Sequence, residues 1–87
     1  MKVSILYHPN SDHSRIVEQY AHDFERHRGK TVELVSLETK EGAVMAAVYG
    51  IVQYPAVVVM TDSGELIKHW EGLELPLMDE VAGYYMA

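Results

Sequence analysis

The sequence predicts an α/β fold whose elements run βαβαββα, and three features of its pattern say so. Residues 3–7 (Val-Ser-Ile-Leu-Tyr) are nearly all apolar, as in a central strand covered on both faces. A helical repeat follows at Ile16, Val17, Tyr20, Ala21 and Phe24, and then the alternating stretch 31–37; together they make a right-handed βαβ unit with parallel strands. Farther on, two strand-like stretches are joined only by Asp62-Ser63-Gly64, a connection that only an antiparallel hairpin can use.

Each element carries its own punctuation. Pro9 cannot continue a ladder and holds His8 extended, so the first strand ends with His8 at its carboxyl end. Asn10 or Ser11 is expected to cap the first helix, placing Asp12 in its first turn against the positive dipole end. Gly29 stops that helix after Arg26-His27-Arg28, a basic turn that complements the negative end. The alternation of residues 31–37 predicts a strand near the sheet edge with one exposed face. Thr39 can cap a second helix through residues 43–49, ended by Gly50. Pro55 stands immediately before the buried run of the third strand, and residues 65–71 form the fourth. Pro76 fits the first turn of a last helix bearing Leu77, Met78, Val81, Ala82, Tyr84 and Tyr85. No linker, repeat or low-complexity segment interrupts residues 1–87, which read as a single domain with one thin core.

A hydrophobic fraction of 48% with 23% charged residues is that of an ordinary soluble domain. Seven Lys and Arg against thirteen Asp and Glu give a formal charge of -6, a field that repels phosphate backbones and argues against a nucleic-acid partner. The absence of cysteine removes disulfides, thiolate nucleophiles and thiolate metal sites together, and favours a reducing compartment. The first apolar run is too short for a signal sequence or a membrane span, so a cytoplasmic protein without a membrane partner is expected.

The element order, the polar helix start after the first strand and Tyr54-Pro55 before the third resemble the minimal thioredoxin fold of glutaredoxins and small thioredoxin-like proteins. The most specific stretch is Tyr49-Gly50-Ile51-Val52-Gln53-Tyr54-Pro55-Ala56-Val57-Val58-Val59, which is similar to that family's helix end, loop, cis-proline and third strand. The hairpin from Asp62-Ser63-Gly64-Glu65 to Trp70-Glu71-Gly72 is similar to the one that follows it. The resemblance implies a four-stranded mixed sheet in the order 2-1-3-4 with the fourth strand antiparallel, the first and third helices on one face and the second on the other. It also implies a cis Tyr54–Pro55 bond, an expectation that rests on the resemblance alone, because X-Pro bonds in folded proteins are cis in only about 5% of cases. In such proteins the backbone before that proline is open to an extended partner, here at Tyr54.

The departure lies where the family has Cys-x-x-Cys. This chain has Ser11-Asp12-His13-Ser14, with Asp12 and Arg15 as the alternative alignment, and a serine hydroxyl titrates far too high to replace a thiol. Dithiol exchange is thereby excluded. Helix capping is the simpler account of both serines; the functional alternative is an anion or carboxylate held by free helix amides and Ser11, with His8 and His13 lining the same mouth. Ser11 also stands where some glutathione transferases use a hydroxyl on the glutathione thiolate, although the helical second domain of those enzymes is missing and Glu71 and Glu74 occupy the following loop. His8 and His13 lack a third metal ligand, so no metal or other cofactor is expected. Ser11 or Ser14, His13 and Asp12 point apart on one turn and make no hydrolytic triad. Tyr7, Tyr20, Phe24 and Trp70 read as core or half-buried, and His22, His27 and His69 as solvated surface. Tyr84-Tyr85-Met86 is either an apolar end that another subunit covers or a frayed terminus.

The reading is a redox-inactive binding module that takes a protein or peptide segment, or a small anion such as glutathione, at His8, Ser11, Asp12, His13, Ser14, Tyr54 and Pro55. A glutathione-dependent enzyme using Ser11 and a structural scaffold are the alternatives.

Overall fold

The structure, a computed structural model, describes residues 1–86, with side chains as far as Tyr84. The apolar run forms β1 (Lys2–Tyr7), and α1 (Ser14–Arg28) carries the chain back to β2 (Val32–Ser36). α2 (Lys40–Tyr49) precedes the hairpin of β3 (Ala56–Met60) and β4 (Leu66–Glu71), and α3 (Met78–Met86) follows. The sheet order is β2-β1-β3-β4, with β1 parallel to β2 and the other pairs antiparallel. Leu6 pairs with both Val35 and Ala56, so the end of β1 lies between the start of α2 and the Tyr54–Pro55 turn.

The sheet separates two apolar layers. On one side Val17, Ala21 and Phe24 of α1 and Val81 of α3 pack on Val3, Ile5, Tyr7, Val57 and Val59. On the other, Ala46 of α2 and Ile51 pack on Leu6, Val35, Ala56, Val58 and Met60. β1 and β3 are central and covered on both sides, their buried residues apolar but for Ser4, whereas β2 is an edge strand. Its alternation does not leave one face wet: Val32 and Leu34 join the first layer and Val35 and Leu37 the second, with Glu33 exposed.

Thr39 caps α2 as its sequence indicates: the Gly42 amide donates to Thr39 Oγ1 at 3.0 Å, and the Thr39 hydroxyl donates to the Ser36 carbonyl at 2.7 Å. α1 starts later than expected. Its N-cap is His13, with no capping side chain, and no acidic residue lies in its first turn. Asn10 instead reaches Glu38 at 3.4 Å, and Ser11 bonds back to His8, so the polar residues build a loop before the helix. Ile16 faces outward, 54% exposed, and Val17, Ala21 and Phe24 form the buried stripe. α3 likewise begins two residues beyond Pro76, with Leu77 O accepting the Glu80 and Val81 amides. The Tyr20 hydroxyl donates to Pro76 O at 2.9 Å, and burial pushes its pKa up to about 12. Tyr84 packs edge-on against Trp70, while the side chains of Tyr85 and Met86 lie outside the described residues.

Candidate functional site

The carboxyl end of β1, the loop into α1, the start of α2 and the Tyr54–Pro55 turn converge at one end of the sheet. Between them lies a cleft of about 360 Å³ lined by His8, Leu37, Ala43, Ala46, Ala47, Ile51 and Tyr54. Three alanines on α2 keep it open, because a larger side chain at those positions would fill the space. Its lining side chains are aliphatic except for the His8 imidazole and the Tyr54 phenol, whose rings meet edge-on at 5.6 Å between centroids.

The loop is held from within. His13 Nε2 accepts the His8 backbone N–H at 3.1 Å, which requires a neutral ring with its proton on Nδ1. Desolvation lowers the His13 pKa, the neighbouring His8 lowers it further, and Asp12 opposes both. The Ser11 hydroxyl donates to His8 O at 2.6 Å, and the Ser11 amide uses the same carbonyl at 3.1 Å. The Ser14 amide then donates to Ser11 O.

On the opposite side the Tyr54–Pro55 peptide bond is cis and Pro55 is buried. Pro55 O accepts the Gly72 amide at 2.9 Å, and the Tyr54 hydroxyl donates to Ile51 O at 3.0 Å. The Tyr54 backbone amide and carbonyl have no partner among the described residues.

The turn has a support that sequence reasoning missed. Glu71 Oε1 accepts the Val52 and Gln53 amides at 2.8 and 3.0 Å, and its Oε2 meets His69 Nε2 at 3.0 Å. His69 is therefore not the partnerless surface histidine its position suggested. The two backbone donors, with His69 adding to them, hold the Glu71 carboxyl below the usual range. A lowered carboxyl pKa contributes stability that is complete above the ordinary glutamate range and is lost as pH falls through the folded value. In Glu71→Gln, the acid-dependent movement of the Val52 and Gln53 amide resonances is expected to disappear, with faster hydrogen exchange at both. Unchanged resonances and exchange would show that the carboxylate does not hold the turn.

Of the residues singled out in the sequence, His8 and Tyr54 face the cleft together, and His13 joins them through the His8 amide. Ser11 is turned onto His8 O, Asp12 is exposed beside His13, Ser14 begins α1, and Pro55 is covered behind Tyr54. Leu37, Ala43, Ala46, Ala47 and Ile51 escaped notice because nothing chemical marks an apolar lining. The small residues of α2 were the available signal. Among the described residues no three His, Cys, Asp or Glu side chains converge as a metal site, and no helix is long and apolar enough to cross a membrane.

Thioredoxin 1 from the thermophilic eubacterium Thermosipho africanus matches 99% of this chain over 91% of its own, with a TM-score of 0.67 and 13% identity. The fold is thioredoxin-like. A chain from the complex of ferredoxin:thioredoxin reductase and thioredoxin f2 matches this thioredoxin-like domain over 98% of its length and 76% of its own, with a TM-score of 0.65 and 14% identity. At such identities the likeness is one of architecture, and function has to be read from the site. No protein-family model matches the sequence, and no curated protein matches it. In this chain the start of α1 and the cis Tyr54–Pro55 turn lie at one end of the sheet, and the chain has no cysteine.

Proposed function

We propose that this thioredoxin-like domain is a redox-inactive binding module that takes an extended peptide segment of a protein partner. The observation that carries the reading is the unpartnered Tyr54 backbone at the rim of an apolar cleft. An extended chain can pair with that amide and carbonyl while one of its side chains enters between His8, Tyr54 and α2. A volume of about 360 Å³ is at the small end of ligand sites, which suits one or two side chains. The anion reading has less support. The lining includes no lysine or arginine, and the Ser11 hydroxyl already donates its proton to His8 O, which also weakens a role for it in holding a glutathione thiolate.

The test is an amide NMR titration with an acetylated and amidated pentapeptide carrying a central leucine, beside the same peptide with a central aspartate. The leucine peptide is expected to shift His8, Ala43, Ala47, Gln53, Tyr54 and Ala56, with little response to the aspartate peptide. Shifts elsewhere, or none with either peptide, would leave a scaffold as the better account.

A further inference from the structure

The geometry points to a pH-sensitive clasp, in which the bond from the His8 amide to His13 Nε2 holds the cleft wall in place and opens when the His13 ring gains a proton. The chemistry follows from the atoms. A neutral imidazole has one lone pair in its ring plane, and here it receives the His8 N–H at 3.1 Å. Protonation converts that acceptor into a second N–H donor, so two donors face each other and the bond cannot persist. The backbone atom released belongs to the residue whose ring lines the cleft and meets Tyr54 edge-on. One proton on His13 thus loosens one wall of the proposed peptide site.

The surroundings of His13 make the neutral form the resting one. From the end of β1 it is faced by Tyr7 and His8, with ring centroids at 6.5 and 6.2 Å, and within its own loop by Asp12. Beyond these, Tyr54 contacts the His8 ring, and Glu18 of α1 acts on Tyr7. Burial and His8 disfavour the imidazolium and outweigh the Asp12 carboxylate, so the ring titrates below the ordinary histidine value of 6.5. The sign follows: the clasp is complete above that value and is lost as pH falls through the folded one. Ser11 does not replace it, because both Ser11 bonds end on the His8 carbonyl and none reaches its amide.

The bond can be observed without any ligand. In uniformly ¹⁵N-labelled protein at neutral pH, a nitrogen–nitrogen coupling across the hydrogen bond is expected between the residue 8 amide and His13 Nε2, with ring shifts of the Nδ1–H tautomer. Both should decline along the titration of the His13 ring, to half at its midpoint and to nothing once it is protonated. The donor is a backbone group, so His8→Phe should keep the coupling and its loss on protonation of His13, with that loss moved to higher pH because His8 no longer disfavours the imidazolium, while removing titration of the residue 8 side chain. His13→Asn should remove both. Absence of the coupling in both the parent and His8→Phe proteins at neutral pH, or its persistence through the His13 titration, would overturn the clasp.

The coupling to binding rests on the peptide-site reading and is tested separately. The affinity of the leucine pentapeptide should fall at least threefold as His13 protonates and stay level over the same range in His13→Asn. A peptide that binds at no pH while the coupling behaves as described would remove the binding reading and leave the clasp. Pentapeptide binding that is equally level in the parent would disconnect the clasp from the cleft.

Discussion

Phe24→Ala is expected to lower stability by about 3–5 kcal/mol, the usual cost of removing a large aromatic from a core. Phe24 is fully buried, the largest side chain to be so among the described residues, and sits where α1 and α3 close over the sheet. Its ring lies 6.2 Å from that of Tyr20, at 29° between planes, and Tyr20 in turn bonds Pro76 O ahead of α3. A cavity there withdraws support from both helices. Domains of this size have roughly 5–15 kcal/mol in total, so the variant should lose a large part of its stability and melt more than about 12 °C lower. Ile16→Ala, one turn from the same stripe but outward, should change stability by no more than about 0.5 kcal/mol. Thermal and urea unfolding of the pair check this, and equal losses would contradict the assignment of the α1 face.

Gly42→Ala is the second large effect, and its sign opposes helix propensity. In an open helix the change gains roughly 1 kcal/mol. At position 42, however, an added β carbon would overlap the Ser36 carbonyl oxygen, lie 2.8 Å from its carbon and 3.2 Å from Leu37 Cα. These are backbone atoms at the end of β2, and the same Ser36 carbonyl already accepts the Thr39 amide and hydroxyl. α2 would have to move away from the sheet. Overpacking of this kind costs about 1–3 kcal/mol, and with unyielding backbone as the neighbour the net loss should be about 2 kcal/mol. Leu37, Ala43, Ala46 and Ala47 line the cleft, so their amide resonances should move as well. Gly83→Ala in α3, with nothing among the described residues within 4 Å of the added carbon, is the control and should stabilise the protein slightly. A stabilised Gly42→Ala would mean that α2 does not approach β2 so closely.

Much of this architecture is legible in the chain because its signals are local. The apolar run of β1, the Thr39 cap, the glycines after α1 and α2 and the short hairpin turn each act within a few residues, and each stands where its chemistry requires. The start of α1 was not legible in the same way. Asn10, Ser11 and Asp12 all favour helix entry, but Asn10 has Glu38 available across the fold and Ser11 has the His8 carbonyl, so the helix waits until Ser14. Ile16 lies off the buried stripe because the rotation of α1 about its axis is settled by its packing on the sheet.

The site divides along the same line. The sequence is sufficient for the α/β class, the missing thiol chemistry and the choice of His8, His13 and Tyr54 as residues of interest, because composition and near-neighbour spacing are written in the chain. That His13 receives the His8 amide, that Glu71 holds the loop before Tyr54, and that three alanines of α2 leave room beside His8 depended on packing. The Glu71 contact joins residues 18 and 19 apart in sequence, and all three turn on hydrogen bonds whose direction, or empty space whose shape, no periodicity encodes. The chain therefore specifies which side chains stand at the end of β1 and before β3, and the assembled sheet specifies what surrounds them.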